Sequence, residues 1–402
     1  MLQLSLGNLA LPEQFTLPYG VYKVAREAGN PAALRQNLLG LSFPGETPPP
    51  RGFAGYLAIG GASPGPYNTI ELPADFSYLR SGDVVRIDPR AKRIRVIYRA
   101  EAPSNSLLLT ERCNHYCVMC SQPPKAEDDT QVARDILNAV PLFSKGTREL
   151  ILSGGEPTLT GELFFDILGQ IRGHLPNTAV HVLSNGRSSA DRQLAERIGD
   201  LKMPDLMIGI PLYSDVPDRH NFIVQSANAF DETIRGILNL KAAGVRVEIR
   251  VVLHRYSIPT LRSLARFVAT NLTFVDHIAF MGLEAMGFAR SNWDDLWVDP
   301  RSYQADLGDA CRSVARKGIR TSVYNLPLCW LSPEVFPYYV TSISDWKNEY
   351  LDACSRCAAA SQCGGFFSSN VQKQVTEESL APFTLESFRR WSQNRRSTNL
   401  AQ

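Results

Sequence analysis

The sequence predicts an α/β protein built on a partial (β/α)6 barrel, with a small mainly β domain before it and a cysteine-bearing extension after it. Three observations carry this expectation. Six short apolar runs alternate with helix-like segments from Ser106 to about residue 300. The residues before them are broken repeatedly by Gly and Pro, and six of the eight cysteines fall in two short groups, one near the start of the alternating stretch and one beyond its end. The expected divisions are residues 1–100, 101–300, 301–370 and a polar tail, 371–402.

In the first hundred residues, GETPPPRG and GGASPGPYN interrupt any long helix. VVRIDPRAKRIRVIYR alternates apolar and polar residues on both sides of a turn, the pattern of a β-hairpin. The segments SLLLT, ELILSGG, AVHVLSNG, DLMIGIPL, RVEIRVVLH and HIAFMGLE then read as six strands. Between them, ARDILNAVPLFS, FFDILGQIRGHL and FDETIRGILNLKAAG have the apolar spacing of helices. Apolar strands separated by helices predict a parallel sheet, with chemistry at the C-terminal ends of its strands. After about Arg301 the sequence gives one more helix, an irregular Pro- and aromatic-rich segment and the polar tail.

With 44% hydrophobic residues over 402 positions, the chain can bury one large core or two modest ones. Lys and Arg number 42 against 40 Asp and Glu, so a net charge of +2 supplies no field for steering nucleic acid. The N-terminal MLQLSLGNLALPEQF has no basic n-region or long apolar stretch, and no run approaches the roughly 18 apolar residues of a membrane span. A cytoplasmic protein without a membrane partner is expected. Eight cysteines are too sparse for a disulfide scaffold, and their grouping points to metal ligation. Cys311, alone in a helix-like stretch, reads as a small buried hydrophobe.

Directly after the first strand stands Cys113-Asn114-His115-Tyr116-Cys117-Val118-Met119-Cys120. Three thiolates in so compact a loop can hold three corners of a 4Fe-4S cubane and leave one iron open. A zinc site completed by His115 is the alternative, although zinc sites usually pair such cysteines with a second distant pair. The second strand ends in Ser153-Gly154-Gly155-Glu156-Pro157, where the glycines let the backbone approach a ligand and the carboxylate can face a cationic amine. The third ends in Ser184-Asn185-Gly186, either ligand-binding side chains or a plain Asn-Gly turn.

These motifs resemble those of the radical S-adenosylmethionine (SAM) superfamily. The resemblance implies that SAM chelates the open iron through its amino and carboxylate groups, and that one electron cleaves it to a 5'-deoxyadenosyl radical. It further implies that Gly154, Gly155 and Glu156 meet the SAM amino group, and that Ser184 and Asn185 meet its ribose or carboxylate. Met119 stands where the family often has an aromatic residue against adenine, a contact made largely by backbone. Arg250, a charge inside an apolar strand, needs a partner. The SAM carboxylate, Glu248 and Glu284 are the options, and Tyr213 and Ser214 are placed to line the same cavity. Glu284 and His254, at the ends of the sixth and fifth strands, are the candidate acid and base, with a helix cap or an ion pair as the alternative for such strand-end groups.

The second group, Cys354-x2-Cys357-x5-Cys363, has Cys329 twenty-five residues upstream of it. Four thiolates can fully ligate a second 4Fe-4S cluster, and structural zinc remains open. The spacing resembles the SPASM and twitch extensions of radical SAM peptide maturases. Phe367 stands where the longer SPASM pattern has another Cys, so the shorter twitch-like form fits better. Together with LLLTERCNHYCVMCSQPPK, LSGGEPTL, IGIPLYSD, MGLEAMGFAR and ISDWKNEY, residues 75 to 370 look like the His-Xaa-Ser system radical SAM maturases. That resemblance implies a ribosomally synthesised precursor peptide as substrate, a second radical SAM maturase as partner and a flavodoxin or ferredoxin as electron donor. A radical SAM enzyme acting on a small molecule, and a non-catalytic zinc scaffold, are the competing functions.

Overall fold

In the computed structural model, residues 3–26, 37–47, 49–345, 347–373, 375 and 379–399 are described, so Trp346 of the ISDWKNEY motif lies outside them. The N-terminal region forms a seven-stranded mixed sheet. Its strands are β1 (Ser5–Leu6), β2 (Gly20–Ala25), β3 (Leu38–Ser42), β4 (Gly55–Ile59), β5 (Thr69–Leu72), β6 (Val84–Asp88) and β7 (Arg93–Tyr98), in the order β1-β7-β6-β2-β3-β4-β5. The expected hairpin is β6–β7, antiparallel with Arg86 opposite Arg95. Alternation decides its faces: Ile94, Val96 and Tyr98 of RIRVIY are buried, while Arg93 and Arg95 are exposed.

Beyond Tyr98 begins a second sheet, in which every strand is parallel to its neighbours. It runs in chain order through β8 (Asn105–Thr110), β9 (Glu149–Gly154), β10 (Ala179–Leu183), β11 (Leu206–Pro211), β12 (Arg246–Leu253), β13 (His277–Gly282) and β14 (Arg320–Tyr324). β8 and β14 do not pair, so the barrel is partial. The outer residues, such as Leu150, Leu152, Val180, Val182, Val247, Ile249 and Val251, form the main core with the helices. These are α1 (Thr130–Ala139), α2 (Glu162–His174), α3 (Arg192–Asp200), α4 (Pro217–Val224), α5 (Ala229–Ala242), α6 (Leu261–Asn271) and, beyond short helices α7 (Gly287–Ser291) and α8 (Trp293–Leu296), α9 (Gln304–Ala315). Cys311 is fully buried on α9, as a small hydrophobe is.

Two expectations need correcting. The barrel does not end near residue 300, because β14 adds a seventh strand whose sequence, RTSVY, hides from an apolar-run search: Ser322 and Tyr324 lie on its inner face and only Val323 joins the outer core. The tail is not simply polar either. Its helix, after the short pair β15 (Asn348–Glu349) and β16 (Phe366–Phe367) and the single turn α10 (Ser368–Val371), is α11 (Leu385–Asn399). Trp391 on α11 is 1% exposed and packs against Phe336 and Phe388, so one aromatic anchor in a charged helix fixes it to the core.

The two sheets are joined at α1 and the segment after it. Tyr98 stacks on Phe143 at 4.2 Å, and its hydroxyl lies 2.7 Å from Thr147 Oγ1. Tyr19 donates to buried Asp135 of α1 at 2.5 Å, and Arg86 pairs with the same carboxylate at 3.2 Å. Among the described residues no helix is long and apolar enough to cross a membrane.

Candidate active site

The loop that carries Cys113, Cys117 and Cys120 leaves β8 at the C-terminal end of the sheet. It is held from both sides. Asp129, just before α1, accepts from Thr110 Oγ1 at 2.7 Å, from the Glu111 N–H and from Arg112 Nε at 3.2 Å. On the far side the N–H groups of Tyr116 and Val118 donate to Val224 and Ile223 of α4, the Cys120 carbonyl accepts from Phe288, and Asn292 Nδ2 donates to Val118 O. The backbone of the cysteine loop is therefore held by the turn before α1, by α4 and by the segment of α7 and Asn292. Asp129 escaped notice in the sequence because an acid before a helix reads as a cap, a bond it does not make here.

The chemistry of these thiols fits an iron-sulfur cluster. Burial pushes Cys113 up to about 11 and raises Cys117 and Cys120 too, with the other cysteines' charges adding to the first two. Three buried thiolates are costly alone, and a cationic cluster replacing their protons relieves both burial and repulsion. His115 is itself buried, and burial lowers its imidazole to about 3.

The Gly-Gly-Glu turn is packed tightly against the strand that carries the cysteine loop. A Cβ on Gly154 would sit 2.2 Å from Thr110 O, and one on Gly155 would sit 2.2 Å from Arg112 O and 2.9 Å from Cys113 Cβ. Both glycines serve close packing against the strand that leads to Cys113. Glu156 is fully buried, and its carboxylate accepts from Thr158 N, Thr158 Oγ1, Ser184 Oγ and Asn185 N at 2.6–3.1 Å. Burial raises its pKa and these four donors oppose that rise. These bonds make Glu156 a brace between the ends of β9 and β10. Glu156→Gln should therefore lower the stability of the domain by about 2–4 kcal/mol, because an amide turns one N–H pair toward existing donors. An unchanged thermal midpoint would refute the brace.

That brace aims the neighbouring residues. Asn185 Nδ2 donates to Asn114 Oδ1 at 2.6 Å and comes within 4.0 Å of Cys113 Sγ, so the turn after β10 meets the cysteine loop. Arg187 reinforces it by donating to Asn114 O at 3.0 Å and pairing with Glu232. Tyr213 is buried, and its pKa is raised well above the ordinary value by burial and then by the Cys117 and Cys120 charges, which places it beside those two thiols. It lies between two imidazoles, His220 at 5.9 Å and His254 at 6.1 Å. Met119 packs in the same apolar cluster with Leu283, Ala285 and Trp293. Ser214 closes its own turn by accepting from Val216 N at 3.0 Å.

Each proposed acid-base residue makes a polar contact within the protein, while the buried Nε2 of His254 has no hydrogen-bond partner among the described residues. His254 is fully buried, accepts from the Tyr256 N–H at 3.2 Å through Nδ1, and is lowered by burial to about 3. Glu284 is ion-paired with Lys347 at 2.8 Å. Beside it, Asn370 clamps Leu283 O and Ala285 N, so the end of β13 is fastened to the C-terminal extension.

Arg250 faces the barrel interior and pairs with Glu248, two residues earlier on β12, at 2.6 Å. Glu248 also takes the His277 Nδ1–H at 2.6 Å, and His277 Nε2 lies 2.9 Å from Ser322 Oγ. Burial opposes ionisation of Glu248, yet the His277 hydrogen bond and the Arg250 charge hold its carboxyl at about 2. His181, from β10, reaches within 3.5 Å of Glu248 by crossing β11 over Gly209. A Cβ on Gly209 would lie 2.8 Å from the His181 ring and 2.9 Å from Arg250 Cδ. The period-two alternation that hides apolar residues outside thus assembles a polar floor inside, invisible to a search for apolar runs.

The other cysteine group encloses its own site. Cys329, Cys354, Cys357 and Cys363 line one pocket, with Tyr350, Phe366, Leu380 and Phe383. Backbone N–H groups of Leu328 and Gly365 donate to Cys363 Sγ at 3.5 and 3.4 Å, Phe383 donates to Cys357 Sγ at 3.3 Å and Ala381 donates to Cys329. Burial, then the charges of the other three cysteines, pushes Cys329 up to about 12 against that last bond. Buried sulfurs with amide donors suit a cluster. Among the described residues no three Cys, His, Asp or Glu side chains stand close enough to share a single metal ion.

Residues 107–268 match the family model of the radical SAM superfamily. A curated relative, the Fe-coproporphyrin III synthase of Methanosarcina barkeri, is 24% identical over 161 residues, 37% of each chain, so the match spans little more than a third of that relative's length. Among solved structures, SuiB of Streptococcus suis bound to S-adenosylmethionine aligns with 11% identity and a TM-score of 0.47, covering 72% of this chain and 77% of that one. Native anSMEcpe with bound AdoMet aligns with 16% identity and a TM-score of 0.47, over 74% and 98%.

Proposed function

Starting from the radical SAM domain that residues 107–268 form, we propose that this chain reductively cleaves SAM at the barrel mouth and modifies a ribosomally synthesised precursor peptide, as the His-Xaa-Ser maturases it resembles do. The observation that carries this reading is the loop of Cys113, Cys117 and Cys120, fixed by Asp129 on one side and α4 on the other. Cys113, Cys117 and Cys120 would hold a 4Fe-4S cluster, which together with SAM would supply the 5'-deoxyadenosyl radical.

The chain's own residues orient and exclude. Ser184, Asn185 and the Gly154-Gly155 backbone lie on the two turns that Glu156 ties together, which suits them to bracket SAM beside Cys113. Tyr213 and Met119 form a dry wall that keeps water from a reactive radical. Arg250, locked in place by Glu248, offers its remaining N–H groups to a carboxylate in the barrel interior. Cys329, Cys354, Cys357 and Cys363 would hold a second, twitch-like 4Fe-4S cluster, which would supply an electron acceptor. A flavodoxin or ferredoxin would reduce the first cluster, and a second maturase would share the peptide.

The test is mass spectrometry of a precursor peptide after anaerobic incubation with the enzyme, SAM and dithionite, with 5'-deoxyadenosine measured in parallel. A peptide mass change and peptide-dependent deoxyadenosine release are expected. The relative named for iron coproporphyrin favours a second reading, a small-molecule substrate. Deoxyadenosine release that answers to a tetrapyrrole and not to any peptide would replace the first reading with that one.

A further inference from the structure

We propose that Asn370 is a positioning residue for the cysteine loop: by clamping the end of β13, it makes the hold of Cys113, Cys117 and Cys120 on their cluster depend on the extension that carries the other four cysteines. The inference rests on the reading of those three residues as cluster ligands.

The clamp is a pair of hydrogen bonds from one side-chain amide. Asn370 Nδ2 donates to Leu283 O at 2.8 Å, and Asn370 Oδ1 accepts from the Ala285 N–H at 2.7 Å. An amide presents a donor and an acceptor side by side, so it serves the carbonyl of one residue and the N–H of the next but one, as a parallel neighbouring strand does. Between those two bonds, Lys347 pairs with Glu284 at 2.8 Å. The extension therefore holds three consecutive residues. Leu283 and Ala285 are only 7% and 2% exposed, so water is a poor substitute for the amide once it is removed.

The clamped residues lead directly to the cysteine loop. Gly287, at a φ of 53°, passes so close that a Cβ would lie 2.6 Å from Cys120 O. The Phe288 N–H donates to the same carbonyl at 2.8 Å, and Asn292 Nδ2 donates to Val118 O at 2.8 Å. Leu283, Ala285, Ala289 and Trp293 also pack with Cys117, Val118 and Met119 in one apolar cluster. In the other direction, α10 follows β16, which follows Cys363 across Gly364 and Gly365. β16 pairs with β15, Glu349 lying opposite Phe366, and the hydroxyl of the next residue, Tyr350, donates to Cys363 O at 2.7 Å. Asn370 is the joint between a unit built around one set of cysteines and a segment that fastens the other. A cluster escapes when its ligand loop opens locally, and opening becomes more frequent as the contacts that hold the loop are lost.

The first measurement is amide hydrogen exchange on the full chain without cluster. Asn370→Ala should speed exchange in residues 116–120 and 283–292 by about tenfold, the factor that losing one ordinary hydrogen bond's worth of stability gives, and leave α2 as in the parent. The second is iron loss from the reconstituted protein to a chelator. About half of the iron, that of the first cluster, should leave about tenfold faster in Asn370→Ala. A chain with Cys113, Cys117 and Cys120 all changed to Ala keeps only the second cluster, and should release it at one rate with or without Asn370→Ala. Unchanged exchange and release overturn the proposal, and so does an equal acceleration in the second-cluster chain, which would mark general loosening. If Asn370→Ala does not fold, Asn370→Asp decides. Its carboxylate keeps the acceptor and loses the donor, and protonation restores both, so its iron release relative to the parent should slow as pH falls from about 7 to about 5. A ratio that ignores pH refutes the clamp. A parent that holds no iron at Cys113, Cys117 and Cys120 overturns the reading of that site, a failure that the exchange measurement tells apart from a loop that ignores Asn370.

Discussion

Cys117→Ala is expected to abolish SAM cleavage and to halve the iron content, from about eight atoms per chain to about four, leaving the second cluster in place. Cys117 is the most buried of its three sulfurs, between Tyr116 and Val118, whose N–H groups bind α4. The alanine keeps both backbone bonds, so the loop stays folded while one of three ligands is lost. Cluster binding must also displace protons, because burial raises all three thiols. Retention of the first cluster in wild-type protein should therefore weaken as pH falls. Cys311→Ala is the control: it touches a core cysteine on α9, and it should keep all the iron at a cost of about 1 kcal/mol in stability. Full iron and deoxyadenosine release by Cys117→Ala would exclude these residues as the cofactor's ligands.

The difference between those two cysteines was legible in the sequence, since spacing separates a ligand group from a lone core residue. The parallel sheet was legible for the same kind of reason: its outer face must be apolar over the whole length of each strand. What faces the interior was not. His181, Glu248, His277 and Ser322 come from four strands, and only the curl of the sheet and the absence of a side chain on Gly209 bring them into one network. Glu156 shows the converse. Its motif drew the eye correctly to the turn, yet the sequence could not reveal that four donors from the chain itself fill the carboxylate. Motif residues chosen for ligand chemistry are thus partly residues that hold turns in place, and local patterns cannot separate the two roles.

Buried imidazoles give the steepest expected response to solution conditions. His181 and His220 are lowered to about 4 and His115 and His254 to about 3, in each case by burial first, with Glu248 opposing it at His181. The unfolded chain takes protons near the ordinary pH of about 6.5, which the native state refuses. Their contribution is therefore fully present above about pH 6.5 and is lost as pH falls toward 4, at about 1.4 kcal/mol per pH unit for each group and about 5.5 for the four together. Two units of acidification would consume much of the roughly 5–15 kcal/mol that holds a typical domain together. Glu248 cannot imitate this, because a carboxyl held at about 2 loses its contribution only below its unfolded value of about 4.5. Urea midpoints should thus stay level above pH 7 and fall steeply between 6.5 and 5. His254→Asn keeps an acceptor for the Tyr256 N–H and removes one titrating ring, so it should shed about a quarter of that slope. Equal slopes in the two proteins would mean that His254 takes up its proton without unfolding, and that the dry wall around Tyr213 is open to water.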